Sequence, residues 1–344
     1  MGTPDEYWPM RPEQLGRQVP FFVTRDSTIV GRQGHRLVAT CSDGTKRSIP
    51  SARISELVVI GDITVTAQAQ RLLLDRGVPL VFLSSTGRVL GRLTPLADSP
   101  IDPVIRQLHR SQDPTACLEI ARVFVAAKIH NQRHAVRRRT RDWPVADRRA
   151  ALRDLDRMYT RACSAENLPA LRGVEGAAAS RYFGVVRELL PRDCGFARRN
   201  RGEHDVVNGL INYISAVLRE EIRSRVATAG LDPRISFLHV PFRGRPTLVF
   251  DLMEEWRSVL LDPVVWSLVR LHAVGPTDID HDNGRAQLSA RSRRLAIERF
   301  RSRLSTFVDD GNGRSTYEEL LQRQAVSLRR WIFDNGDYRP HLAR

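Results

Sequence analysis

The stretch RPTLVFDLMEEWR, residues 245–257, places Asp251, Glu254 and Glu255 at i, i+3 and i+4. On a helix that spacing sets their carboxylates side by side, on a face other than the apolar one formed by Val249, Leu252, Trp256 and Val259. Clustered carboxylates repel one another, and a divalent cation is one way to relieve the repulsion. The commoner origin of such a cluster is a solvated face ion-paired to arginines, here Arg257 or others. His239 lies upstream in the apolar run FLH; a lone histidine in that setting is more often a hydrogen-bonded core residue than a ligand. Glu175 falls in LRGVEGAAASRYFGVVRELL, near the start of a helix predicted over 173–190. An acid in a first turn is favourable to the helix dipole, which is the ordinary reason to find one there. The small neighbours Gly176 and Ala177 to Ala179 leave room for another chain or a ligand to approach. Together the three elements supply a glutamate, an imidazole and a carboxylate cluster. That set suits Mg²⁺ or Mn²⁺. Such an ion can polarise a phosphoryl oxygen and lower the pKa of a bound hydroxyl.

The elements that must position these groups change character along the chain. Up to about Pro95 the pattern is β: alternating segments punctuated by Gly31, Gly34 and Ser42-Asp43-Gly44, a short strand ISELVVIG, one helix over 66–77, and two strands around a Ser-Thr-Gly turn. LADSPIDP is a Pro/Asp/Ser-rich connector. Beyond it the period becomes helical, beginning at Asp113 as N-cap with Pro114 at the first helical position. Helices are predicted over 145–163, 173–190, 205–229, 247–271, 288–305 and 316–332. The expected architecture is α+β: a small β-rich N-terminal domain over 1–97, a linker over 98–112, and a larger all-α catalytic domain over 113–344.

The formal net charge of the 344-residue chain is +15, and lysine occurs only at Lys46 and Lys128. An arginine-rich surface suits bidentate contact with phosphates, so nucleic acid is the leading partner class. RHAVRRRTR, with Arg133, Arg137, Arg138 and Arg139, and ARRNRGEHD, with Arg198, Arg199 and Arg201, are the densest clusters. Ordinary solvated faces are their equally common explanation. Cys41, Cys117, Cys163 and Cys194 form no C-x-x-C pair, which argues against a zinc ribbon or a disulfide framework. No Walker loop, H-E-x-x-H or G-x-S-x-G occurs. There is no apolar run long enough to span a membrane and no signal-peptide core, so a cytoplasmic location is expected.

The sequence resembles the CRISPR-associated spacer-acquisition integrases, the Cas1 family, over roughly residues 20 to 335. The N-terminal marks are LVVIGDITVTAQAQRLLLDRGVPLVFLSSTGRVLGRL and LEIARVFVAAKIHNQR; the later ones are GVEGAAASRYF, DVVNGLINY, GLDPRISFLH and RPTLVFDLMEEWR. The resemblance implies metal ligands at Glu175, His239 and Glu254, a functionally important acid at Asp251, and Mg²⁺ or Mn²⁺ as cofactor. Spacing leaves Glu255 and Asp251 open as alternatives to Glu254. It also implies a homodimer, with two dimers flanking a dimer of the small protein Cas2 in a four-plus-two complex. That complex joins the 3′ ends of a duplex prespacer to the repeat of a CRISPR array. RRNRGEHDVVNG departs from the family's R-R-x-R-P-P-x-D-P-V-N-A, Gly209 standing where relatives have alanine; Asn212 and Ser215 stand where many relatives have Ser or Thr and then Tyr. A non-catalytic DNA-binding scaffold and a transposase relative with the same chemistry are the other readings.

Overall fold

The computed structural model describes residues 19–24, 27–85, 87–95, 101–200, 205–282, 285–311, 313–334 and 336–344. The chain divides into two compact units, Met1–Asp98 and Ser99–Arg344.

In the first unit ISELVVI forms β5 (Ile54–Ile60), an apolar run that reads as a strand covered on both faces. It runs parallel to β1 (Val19–Val23) on one side and to β7 (Leu80–Leu83) on the other, with β8 (Val89–Leu93) antiparallel at the edge. The second sheet has the order β4-β3-β2-β6, from β2 (Thr28–Gln33), β3 (Arg36–Thr40), β4 (Lys46–Pro50) and β6 (Ile63–Val65). Gly34, at φ 59°, turns the β2–β3 hairpin in the left-handed region that glycine enters without a Cβ penalty. α1 (Ala67–Asp75) is capped by Thr66, whose Oγ1 accepts a 3.3 Å hydrogen bond from the Ala69 amide. Leu37, Ile54, Leu57, Leu73 and Leu80 lie in its core.

The second unit opens with α2 (Asp102–Gln112), where a linker over 98–112 was expected. Only Gln107 of this helix is buried, and its apolar positions Ile105 and Leu108 are exposed; Pro103 in the first turn was a further signal. Gln107 bonds both ways to a turn, donating to the Asp232 and Ile235 carbonyls and accepting from the Asp232 amide. That turn leads into the segment carrying His239. α3 (Pro114–Arg139) starts at Asp113, which accepts from the Thr115 amide at 2.8 Å. Its buried residues lie on all sides, the mark of a central helix. α4 (Val145–Cys163) and α5 (Leu168–Leu189) pack against it and each other. α6 (Val206–Thr228) packs on the C-terminal helices.

The helix expected over 247–271 is interrupted. α7 (Thr247–Met253) gives way to a π-helical turn over Arg257–Leu261 and then to α8 (Asp262–Arg270). Such turns recur at functional sites because they redirect side chains within one helical segment. Trp256, at the break, is fully buried, as its place on the apolar face predicted. Its Nε1–H donates to Gln324 Oε1 at 2.8 Å, and its ring stacks on His341 at 4.6 Å. The unit is not wholly α. Two hairpins, β9 (Ile279–Asp282) with β10 (Arg285–Leu288) and β11 (Phe307–Asp309) with β12 (Arg314–Thr316), alternate with α9 (Ala290–Leu304) and α10 (Tyr317–Asp334). At Gly209 a Cβ would come within 3.3 Å of Leu288, so glycine fits the close approach of β10 to α6. No helix among the described residues is long and apolar enough to cross a membrane, and all four cysteines are free.

Candidate metal centre

Five stretches of the second unit converge: α3, α5, the segment 236–239, the end of α7, and the π-helical turn. α5 begins at Leu168 with Asn167 as its N-cap, so Glu175 sits in its interior and not in its first turn. The dipole explanation for that acid therefore lapses. An added Cβ at Gly173 or Gly176 would meet nothing within 4 Å, which leaves the surroundings of Glu175 open as the small residues suggested.

The acids of the 251–255 cluster are not a solvated face. Asp251, Glu254 and Glu255 are all buried, at 0%, 5% and 0% exposure, and they point to three different destinations. Asp251 accepts from the amides of Phe237, Leu238 and His239 at 2.8, 3.0 and 3.0 Å, and lies 2.7 Å from His239 Nδ1. Both its oxygens are thus committed to shaping the FLH segment. With Nδ1–H donated to Asp251, His239 has Nε2 as its lone-pair nitrogen. Burial lowers the imidazole pKa, but the bond to Asp251 and the fields of Asp251, Glu254 and Glu175 outweigh it, and the net shift is upward.

Glu255 turns the other way. Its carboxylate accepts from the Tyr338 hydroxyl and from the His341 amide. No cation is among its partners in the described residues, and burial raises its pKa to about 7. Glu254 faces the opposite side, where Lys128 Nζ contacts both Glu254 Oε2 and Glu175 Oε1. Arg257 Nε donates to Glu254 Oε1 at 3.2 Å, and its Nη1 reaches Ser215 Oγ at 3.5 Å. Burial pushes the Glu254 carboxyl up; Lys128 and Arg257 outweigh it and hold the group well below the usual carboxylate range. Of the three acids, Glu254 is the one that shares a partner with Glu175 among the described residues.

Lys128 is the residue that sequence reasoning missed. Its ammonium is buried on α3, where burial lowers its pKa and the two glutamates more than restore it. The available signal was its rarity: a lysine amid Ala127 and Ile129 in a chain whose one other lysine is Lys46.

Among the described residues no three His, Cys, Asp or Glu side chains already stand as a closed metal-binding group. What lies between two of the acids bears on the fit. A compact cation, the Lys128 ammonium, sits between Glu175 and Glu254, the two carboxylates that would help to hold a metal ion. Two carboxylates with one imidazole nitrogen are a donor set for a hard divalent ion that tolerates nitrogen.

The arginines divide. Arg139 stacks on the Trp266 ring at 3.4 Å, and burial lowers its pKa to about 10. Arg133 pairs with Asp156 at 2.6 Å. Arg199 donates to Asn208 and Asn212 at 2.8 and 2.7 Å, bracing the start of α6, and the Arg198 carbonyl accepts from Asn208. Arg139 and Arg199 are therefore built into the protein and are not free for phosphates. Arg201 lies outside the described residues. Arg137 and Arg138 are exposed and line a cleft with Arg141, Arg148, His130 and His134, where the buried His134 Nδ1 and Arg148 Nε have no hydrogen-bond partner among the described residues.

Comparison with known proteins bears on the family and the fold. The family model for CRISPR associated protein Cas1 matches residues 21–302. A Thermus thermophilus protein named CRISPR-associated endonuclease Cas1 3 is 30% identical over 330 residues, 94% of this chain and 97% of its own length. A Rhodospirillum rubrum protein, CRISPR-associated endonuclease Cas1 2, is 31% identical over 82% of this chain and 85% of its own. Among solved structures, a Cas1 protein from Thermotoga maritima superposes with a TM-score of 0.78 at 19% identity, over 91% of this chain and 97% of that one. A casposase bound to integration product gives 0.80 at 20% identity, over 92% and 91%, a likeness of fold. With a β unit followed by a helical unit holding the Glu175, His239 and Glu254 elements, and with the family model spanning most of its length, the chain belongs to the Cas1 family.

Proposed function

We propose that this Cas1-family chain is a divalent-metal-dependent DNA endonuclease and integrase of CRISPR adaptation. It joins the 3′-hydroxyl ends of a duplex prespacer to the repeat of a CRISPR array by transesterification. It works in the cytoplasm as a homodimer with the small partner Cas2, a reading supported by a structural neighbour titled as a Cas6-RT-Cas1–Cas2 complex. The observation that carries the proposal is the meeting of Glu175 and Glu254 on one cation beside an imidazole whose Nδ1 is already held.

Glu175, His239 through Nε2, and Glu254 would hold Mg²⁺ or Mn²⁺. When bound, such an ion supplies Lewis-acid polarisation of a phosphoryl oxygen. The chain's own residues prepare the place for it. Asp251 fixes the ring orientation and tautomer of His239 and is a positioning residue, not a ligand. Arg257 keeps Glu254 ionised and aimed, and Ser215 steadies Arg257 from α6. Arg137 and Arg138 grip backbone phosphates without reading sequence.

The test is strand transfer: the protein, Cas2, a short duplex with free 3′ ends and a supercoiled plasmid bearing the array. Relaxation and covalent joining that require Mg²⁺ or Mn²⁺ are expected. Glu175→Ala should bind DNA at or above the wild-type affinity, because a negative charge is removed near the phosphates, and should join nothing. One observation favours a second reading: Lys128 and Arg257 already neutralise the carboxylates, as they would in a DNA-binding scaffold with structural acids. Clean DNA binding with no joining under any divalent metal would favour that scaffold.

A further inference from the structure

Of 54 lysines and arginines, all but Lys46 and Lys128 are arginine. Lys46 is exposed on β4, whereas Lys128 is 5% exposed in the middle of α3. The site therefore has a lysine where the rest of the protein would use arginine. The two cations differ in a way that fits the place. An ammonium is a compact point charge with three donors on a flexible stem; a guanidinium is a flat fork that needs a wider gap. The space between Glu175 and Glu254 is thus one for a small cation, and Lys128 Nζ contacts an oxygen of each. Arg257 does not duplicate this role, since it meets Glu254 from the side, through the other oxygen, at 3.2 Å.

We infer that Lys128 is the resident counter-ion of the metal centre: it holds Glu175 and Glu254 together in the metal-free protein and competes with the divalent ion for them. This rests on the metal reading of the site. The physical reason is exclusion. An ammonium in contact with both carboxylates and a metal ion bridging the same oxygens cannot share the gap, and two like charges so close repel strongly. Loading therefore requires the Lys128 ammonium to withdraw along its methylene stem. In exchange, the carboxylates never face each other unneutralised, a condition that would otherwise splay α5 from the end of α7. Lys128 then sets how much free metal is needed to load the site, separately from any contact with DNA.

The experiment is Mn²⁺ binding without DNA, followed by electron paramagnetic resonance at fixed ionic strength, on wild type, Lys128→Met and Glu254→Gln. Melting temperatures are measured with and without Mn²⁺. Wild type should bind Mn²⁺ saturably and Glu254→Gln should lose that binding. Lys128→Met should bind at least about tenfold more tightly, through removal of a neighbouring positive charge. Its metal-free melting temperature should fall, and Mn²⁺ should restore it by more than it raises that of wild type. Should Lys128→Met not fold without metal, Lys128→Gln keeps amide donors toward the carboxylates without the charge and should also bind Mn²⁺ more tightly. Equal or weaker Mn²⁺ binding in the folded variant overturns the counter-ion role while leaving the metal site standing. Wild type with no Mn²⁺ binding that Glu254→Gln removes overturns the metal reading itself.

Discussion

Glu254 and Glu255 are adjacent at the end of α7, and both are buried, yet they live in opposite electrostatic worlds. Glu254 meets Lys128 and Arg257 and is held ionised. Glu255 meets Tyr338 and the His341 amide, has no cation among its partners in the described residues, and is pushed up to about 7. Two like groups with pKa values driven apart mark a division of labour. One side of the helix end faces the proposed metal centre; the other fastens the C-terminal tail, where Asn131 bonds to the Glu255 and His341 carbonyls and to the Ala343 amide. A carboxylate's role here is set by the cation it meets, not by its place in the motif.

The sharpest way to break this comparison is to exchange the two sides. Glu254→Gln should abolish strand transfer with the fold retained, while Glu255→Gln should keep transfer within a few-fold of wild type. Loss of joining in both alike, with both folded, would erase the distinction. Glu254→Ala is a harsher change than a surface acid would make it. It leaves the buried Lys128 ammonium with one partner and should cost about 1–3 kcal/mol in addition to activity. On the tail side, Trp256→Ala should cost roughly 3–5 kcal/mol in denaturant unfolding, since the ring is fully buried and stacked on His341. An unchanged midpoint would show that the tail side carries no such packing.

A pH series sharpens the contrast further. Glu255 rises from 4.5 to about 7 on folding, so the folded state binds its proton more tightly than the unfolded one. Its contribution is fully present below the unfolded value of 4.5 and is lost as pH climbs through about 7, a change of about 3 kcal/mol. Asp262, raised from 3.8 to about 6 by burial despite the Tyr182 hydroxyl at 2.6 Å, acts in the same direction over a lower window. Glu255→Gln should therefore flatten the decline of melting temperature between 4.5 and about 7 and leave the part due to Asp262. An unaltered profile would mean that Glu255 is not the group responsible. The smallest effect separates grip from chemistry. Replacing Arg137 and Arg138 by Ala should weaken binding to all duplex sequences alike. The salt slope of log K should fall by about 0.9 for each phosphate that is no longer neutralised.

Residue types and local pattern carried much of this. The change from β to α, the caps at Thr66 and Asp113 and the burial of Trp256 were legible in the chain, whereas Glu175, His239 and Glu254 came as a set only through the family resemblance. What was not legible depended on partners distant in sequence. The acids of 251–255 look solvated until Lys128 on α3 and the tail residues are brought to them. Spacing could not say which carboxylate faces Glu175, because that turns on the break after α7. α2 escaped notice because it opens inside the Pro/Asp/Ser-rich LADSPIDP, which reads as a connector, although Ile101, Ile105 and Leu108 follow at helical spacing. Among the arginines, Arg139 and Arg199 look as free as Arg137 and Arg138 until Trp266, Asn208 and Asn212 are seen to occupy them.

The most direct measurement is a crystal of the protein soaked in Mn²⁺, with anomalous difference density collected at a wavelength sensitive to manganese. The account predicts one strong peak bounded by Glu175, Glu254 and His239 Nε2, with the Lys128 ammonium moved out of the gap and Asp251 still bonded to His239 Nδ1. A peak coordinated by Asp251 or Glu255 instead, or no peak with Lys128 still bridging the two glutamates at saturating Mn²⁺, would contradict it.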